Sequence, residues 1–208
     1  MQSIQRKLWL ADEPLVLASR SKARRAMLTN AGIPIDVIPS DVDEPLLQKG
    51  IGPHATASEI ALRLASAKAI YVSAKHPSRL VLGSDQTLDL DGMTLAKADS
   101  RAEAKERLGH LSGRQHHLYS AFSLVRGGEV LHSGVHMAMI SMRTLSESFI
   151  GVYLDMNGDN VLASVAVYEV EAMGMQMIEK FEGDWFTIQG LPLTPVIAFL
   201  QHQRFLLS

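Results

Sequence analysis

Three cations crowd one short segment: Lys22, Arg24 and Arg25 follow Ser19-Arg20-Ser21, directly behind the apolar run Leu15-Val16-Leu17-Ala18. That run shows no alternation, as a strand buried on both faces would not. The residues after it read as a helix over about 22–31, closed by Gly32 with Pro34 just beyond. Free N–H groups at a helix start attract anions, and the helix dipole adds to the attraction. Positive side chains in the same turn oppose the dipole, at about 0.3–1 kcal/mol each. A bound phosphate would remove the conflict. A solvated basic helix face is the alternative.

Asp85 follows another strand-like run, Arg79 to Leu82, with Gly83 and Ser84 between them. In α/β sheets the carboxyl ends of strands line the ligand crevice. A glycine there lets a ligand or metal approach the backbone; a turn-capping aspartate is the alternative. Lys68 falls in register with Ile60, Leu64 and Tyr71 at helical spacing, on an apolar stripe. It either snorkels to water or faces a cleft as a cation for phosphate oxygens. Asp41, Asp43 and Glu44 form an acidic cluster of the oxygen-ligand type that suits magnesium. Surface acids need no such explanation, and Lys97, after an apparent hairpin, is equally open. Ser112-Gly113-Arg114-Gln115-His116 can make a tight anion-binding turn before a strand.

Two further patterns point away from other chemistries. His116-His117, His132 and His136 lack acidic partners at zinc-site spacing, and no H-E-x-x-H occurs, so they read as structural or exposed. Asp89-Leu90-Asp91-Gly92-Met93-Thr94-Leu95 is similar to the D-x-D-G-T-L loop of haloacid-dehalogenase-type phosphatases. Met93 breaks that spacing, and an Asp-Gly hairpin explains the segment more simply.

The elements that must position these residues alternate between strand and helix. Ile35 to Ile38 reads as a second strand, ending in the acidic loop; Gly50, Gly52 and Pro53 mark a loop. Thr56-Ala57-Ser58-Glu59 is a capping box for a helix to about 75, and Ser100 to Glu103 opens another. Residues 117–142 form a long hairpin turning at Gly127-Gly128. A helix over about 144–156, strand-like segments near 164–171 and 175–181, and a last helix opened by Pro192 complete the chain. The class is therefore α/β with some antiparallel pairing, and residues 1–12 read as a loose arm.

Bulk properties narrow the function. Hydrophobic residues make up 47% of the 208, and charged residues 20%, enough for a real core. A net charge of −2 gives no electrostatic footprint for nucleic acid. No apolar run approaches the ~20 residues of a membrane span, and no signal peptide is expected. The absence of cysteine removes disulfides, thiol nucleophiles and Cys-type zinc sites, and fits a cytoplasmic address.

Taken in order, the segments resemble the Maf family of nucleoside triphosphate pyrophosphatases. Leu17-Ala18-Ser19-Arg20-Ser21-Lys22-Ala23-Arg24-Arg25-Ala26-Met27-Leu28 resembles its opening L-A-S-x-S-P-x-R-R-x-L-L. Asp41 to Glu44 matches D-V-D-E, Ala67-Lys68-Ala69 its K-A step, and Gly83-Ser84-Asp85-Gln86-Thr87 its G-[AS]-D-[TQ]. Lys97, Ser112 to His116, Glu182-Gly183-Asp184 and Gly190 to Leu193 match the remaining motifs, so the resemblance spans about 15–200. Lys22 replaces the usual proline, Ala96 and Ala98 flank Lys97 in place of glycine and proline, and Ala166 and Ala172 stand near the base-binding segment where glycine is frequent.

The resemblance implies a single domain over 1–208, with a mixed twisted sheet flanked by helices in two lobes around a central cleft. It implies magnesium- or manganese-dependent hydrolysis of a nucleoside triphosphate to the monophosphate and pyrophosphate. Asp85 would be the catalytic base, and Glu44 and Asp85 would hold the metal. Ser19, Arg24, Arg25, Lys68 and Lys97 would bind the triphosphate, and Glu171 the base. Glu171 with Gly83-Ser84-Asp85-Gln86 sides with the branch that resembles 7-methyl-GTP pyrophosphatases; a thymidine or uridine triphosphate is the alternative. A phosphatase acting at Asp89/Asp91 and a non-catalytic nucleotide-binding regulator of cell division are the rival readings, since the family is also linked to inhibition of septum formation. Family members commonly pair as homodimers.

Overall fold

The computed structural model describes residues 8–52 and 54–208. Its strands are β1 (Leu15–Leu17), β2 (Ile35–Val37), β3 (Val81–Leu90), β4 (Met93–Leu95), β5 (Gln115–Arg126), β6 (Glu129–Met142) and β7 (Ile178–Glu182). The helices are α1 (Lys22–Asn30), α2 (Glu44–Ile51), α3 (Ala57–Lys75), α4 (Arg101–Leu111), α5 (Glu147–Asn157), α6 (Trp185–Ile188) and α7 (Leu193–His202). The strands form one mixed sheet in the order β2-β1-β3-β5-β6-β7, with β4 folded back on β3. The pairs β1–β2 and β1–β3 are parallel; the pairs from β3 through β7 are antiparallel.

The long strands β3 and β5 run through two apolar clusters. Leu82, Phe122 and Leu124 belong to one, with Leu15, Leu17, Leu28 and α7 residues. Leu88, Leu90 and Leu118 belong to the other, with residues of α4, α5 and the 161–178 region. Between them, on the same face, lie Ser84, Gln86 and Ser120, positions that alternate with the face beneath α3. These polar residues bond to carbonyls of Thr187, Ile188 and Gly190. The molecule thus divides into two lobes at a hydrogen-bonded belt.

Three sequence expectations are corrected. The strand that opens near Arg79 does not stop at Leu82 but continues to Leu90, because β5 pairs with it from Val81↔Val125 to Asp89↔His117. It is β1 that stops there: its last register partner is Leu82. The crevice therefore opens at the carboxyl end of β1, and Asp85 sits in mid-strand beside it. The segment 164–171 is not a strand, although Val165, Val167 and Val170 favour one. It is an irregular loop with Val165 to Tyr168 and Val170 buried, and Val167 at a φ of 63°. Tertiary partners replace the ladder: Arg107 donates to the Val165 carbonyl at 2.9 Å, and the Tyr153 hydroxyl to the Val167 carbonyl at 3.4 Å. Finally, the expected arm 1–12 lies outside the described residues up to Lys7, but Trp9 is buried against Phe205, and its indole N–H donates to the Glu13 carbonyl.

Candidate active site

On the face of β3 beneath α3, three alternate residues each meet the helix. A Cβ added at Gly83 would stand 2.1 Å from the Ala65 carbonyl oxygen and 2.8 Å from the Ala69 Cβ. Gly83 is thus needed for close helix packing rather than for ligand approach. Ala61, Ala65 and Ala69, all fully buried, complete that contact. Thr87 Oγ1 donates to the Ala57 carbonyl at 2.8 Å and pins the first turn of α3, whose Thr56/Glu59 capping box is complete. Between these two fixings lies Asp85, and the close approach brings Lys68 of α3 onto it.

Lys68 Nζ lies 2.5 Å from Asp85 Oδ1 and 2.9 Å from Glu44 Oε1. Lys68 is 7% exposed and Asp85 8%, so both charges are held largely out of water. Lys68 therefore does not snorkel. A buried charge persists only when paired, and here one cation serves two carboxylates. Glu44 enters from the start of α2, a helix not expected from the sequence, whose N-cap is Asp43. The acidic cluster is thereby sorted: Asp43 caps α2 by accepting from the Leu46 N–H, Asp41 pairs with exposed Arg20, and Glu44 alone reaches Lys68. Partial burial pushes the Glu44 carboxyl up, but Lys68, Lys97 and Arg24 together outweigh it and hold the group below its ordinary range. That balance also places exposed Lys97 within electrostatic reach of the cluster.

Arg24 points inward from α1. Its Nη1 donates to Ser19 Oγ at 3.2 Å and to the Ser84 carbonyl at 2.9 Å, and its Nε to the Gly190 carbonyl at 2.8 Å. The Ser84 carbonyl lies where β1 has ended. Burial lowers the Arg24 pKa, while the charges of Asp85 and Glu44 raise it, with a net shift downward. Arg24 is thus a clamp between α1, β3 and the segment ahead of α7, as well as a cation at the crevice. Ser19 is buried, and Ser21 caps α1.

Ser19, Arg24, Glu44, Lys68, Asp85 and Lys97 therefore converge. Arg25 and Glu171 do not join them. Arg25 is exposed on α1, and among the described residues no hydrogen bond or ion pair ties it to the cluster. Glu171 lies in the turn that follows the 164–170 loop, exposed as a residue, but partial desolvation of its carboxyl raises its pKa and Glu169 adds to the rise. Asp89 accepts from the Gly92 N–H and Asp91 pairs with Arg114, so these acids build a hairpin. In the Ser112–His116 segment, Ser112 Oγ accepts from the Leu145 N–H, and His116 is buried against Tyr168. Both features join elements.

The family pattern described as Maf-like protein matches residues 14–203. The chain belongs to the Maf-like family. A nucleoside triphosphate pyrophosphatase of Rhodopseudomonas palustris (strain HaA2) is 48% identical over 199 residues, covering 96% of this chain and 98% of the relative. A 7-methyl-GTP pyrophosphatase of Mesorhizobium japonicum is 46% identical over 194 residues, covering 91% of this chain and 96% of the relative. Among solved structures, a HAM1 protein from Coxiella burnetii aligns with a TM-score of 0.41 at 16% identity, over 62% of this chain and 72% of that one.

Two residues of this Maf-like chain were missed as site-builders. Gln86 was read only as part of a motif, yet its amide donates to Ser120 Oγ and to the Thr187 and Ile188 carbonyls. Gly190, at a φ of 104°, offers its carbonyl to both Arg24 and Ser84 Oγ. A Gln beside the catalytic candidate was the available signal for the first. Nothing local signalled the second, 166 residues from its partner Arg24.

Proposed function

We propose that this chain is a nucleoside triphosphate pyrophosphatase that cleaves between the α and β phosphates, with Asp85 as the catalytic base. The observation that carries the reading is the Glu44–Lys68–Asp85 cluster beside Arg24, in which Lys68 and Asp85 are buried. Phosphoryl transfer asks a protein for positioning and charge neutralisation more than for covalent chemistry. Lys68, Lys97, Arg24 and Ser19 supply the cations and hydroxyl for the triphosphate oxygens, and Arg25, exposed outside that cluster, adds a further cation only by reaching in from α1. Water attacks the α phosphorus, the bond to the α–β bridging oxygen breaks, and pyrophosphate leaves. Asp85 takes the proton from the attacking water. The names of the two relatives support the reaction class.

Glu44 and Asp85 fit a divalent cation such as magnesium or manganese. Their oxygens already converge on one positive centre, Lys68 Nζ. Two carboxylates, completed by waters and phosphate oxygens, are the set magnesium usually takes. The cation would supply further neutralisation of the phosphates.

For the base we propose 7-methylguanosine triphosphate, read by Glu171. A carboxylate only accepts hydrogen bonds, and guanine offers adjacent N1–H and N2–H donors; uracil offers a mixed edge better met by an amide. N7 methylation makes the base cationic, which favours an anion further. The match of Glu171 and Gly83 to Gln86 to the motifs of that branch supports the choice, as does the name of the Mesorhizobium relative. Turnover of a panel of canonical and methylated nucleotides with magnesium or manganese, read out as pyrophosphate, tests the activity. Release of orthophosphate instead would favour a different phosphatase.

A further inference from the structure

Lys68 is placed in two roles that draw on the same atoms. Its ammonium lies 2.5 Å from Asp85 and 2.9 Å from Glu44, and these are the two carboxylates that fit a divalent cation. A metal and a lysine cannot both take full charge neutralisation from one pair of carboxylates. Either the lysine releases them or the metal binds poorly. Among the described residues, Lys68 pairs with those two acids alone. What can draw it off is a second set of anionic oxygens at the same crevice, and a triphosphate supplies one.

We propose that Lys68 and the divalent cation compete for Glu44 and Asp85, and that the triphosphate relieves the competition by accepting Lys68. Metal and nucleotide then bind with positive coupling, through an exchange of partners at a single ammonium group. Thermodynamic coupling between two ligands commonly amounts to about 5–150-fold in affinity, and it acts reciprocally. The site takes up metal efficiently only when a triphosphate is present, so hydrolysis follows arrival of the metal–nucleotide complex. The inference rests on the reading of Glu44 and Asp85 as metal ligands.

One substitution separates this from a simple phosphate-binding role. Lys68→Met leaves two neighbouring carboxylates without their shared cation, and like charges at close range attract any cation offered. Manganese binding is measured by calorimetry and by the electron spin resonance of free Mn2+, first with no phosphate compound present. Lys68→Met is expected to bind Mn2+ alone about tenfold or more tighter than the wild type, within the usual range of coupling. Mn2+ is also expected to raise its Tm more than that of the wild type. The gain disappears in the double variant Lys68→Met/Glu44→Gln if the same carboxylates are responsible. Conversely, a preformed Mn2+–tripolyphosphate complex binds the wild type more tightly than it binds Lys68→Met.

Equal or weaker Mn2+ binding by Lys68→Met, or a gain that survives Glu44→Gln, would overturn the proposal. The wild type alone gives a second test should the variant not fold. Mn2+ that binds equally well with and without tripolyphosphate also overturns it. Failure of the enzymatic reading looks different: no pyrophosphate is released from any nucleotide, whatever the Mn2+ titrations show.

Discussion

The Nε of Arg24 donates to the carbonyl of Gly190 at 2.8 Å, joining the helix that follows β1 to the segment ahead of the last helix. The same guanidinium reaches Ser19 Oγ and the Ser84 carbonyl. Three partners from three separate segments make Arg24 part of the scaffold. A cation that opposes the dipole of its own helix is expected, from sequence, to matter more for triphosphate use than for stability. The hydrogen bonds revise that expectation: removing a charged donor and leaving the Ser84 carbonyl without it costs about 1–3 kcal/mol. Arg24→Ala should therefore lower the urea midpoint clearly, and Arg24→Lys, which cannot span the same acceptors, should recover little. Unchanged unfolding curves for both would show that the clamp is idle.

Gly83→Ala should be among the most damaging single-methyl additions in the chain. The new Cβ meets the carbonyl oxygen of Ala65 at 2.1 Å, and a backbone atom cannot rotate away. Overpacking usually costs about 1–3 kcal/mol, and this case should lie at or above the upper end. Because α3 also carries Lys68, residual activity should fall with stability. Urea unfolding of Gly83→Ala checks the first point; a loss under 1 kcal/mol, on the order of a surface change, would contradict the packing.

The buried His116 should make stability pH-dependent. Burial, with a smaller push from His117, lowers its pKa from 6.5 to about 4. As pH falls, the unfolded chain takes up the proton first, so between about 6.5 and 4 it binds more protons than the folded chain. The contribution is fully present above pH 6.5 and is lost as pH drops towards 4. That window corresponds to about 3 kcal/mol. His116→Gln should flatten the stability profile between pH 6.5 and 4, measured by urea unfolding at stepped pH. A profile equally steep in the variant would assign the acid sensitivity to other groups.

Much of this was legible locally. The capping box at Thr56 and Glu59, the buried run at Leu15 to Leu17 and the Gly127-Gly128 turn are short-range signals, and each marks the element it suggested. Asp85 in mid-strand was not legible, because Gly-Ser-Asp-Gln-Thr favours a turn until β5 supplies a ladder across the chain. The 164–171 loop failed for the opposite reason: β-branched residues favoured a strand, and burial with side-chain bonds from Arg107 and Tyr153 won. The convergence of Glu44, Lys68 and Asp85 followed from no local spacing. It depends on how closely α3 lies on Gly83, a fact of packing.

Glu171 is the residue on which base choice should turn. With Glu171→Gln, catalytic efficiency on 7-methylguanosine triphosphate should fall and that on uridine or thymidine triphosphate should rise, by about tenfold or more in the ratio. Losing a well-matched polar contact to a substrate typically has such an effect. Steady-state kinetics on the four nucleotides, including cytidine triphosphate, decide it. An unchanged preference, or a wild type that favours a pyrimidine, removes Glu171 from recognition.

The measurement closest to the central claim is pyrophosphate release by Asp85→Asn under saturating nucleotide and magnesium. The asparagine keeps the shape of the side chain and can still meet Lys68, so the fold and nucleotide binding should survive, as circular dichroism and a ligand-induced rise in Tm would register. Turnover should drop by about 10²–10⁴, the usual effect of losing a general base. Asp89→Asn, whose carboxylate only closes a hairpin turn, should release pyrophosphate at close to the wild-type rate. A well-folded Asp85→Asn protein with near-normal turnover, or an Asp89→Asn protein with none, would contradict the assignment of catalysis to Asp85.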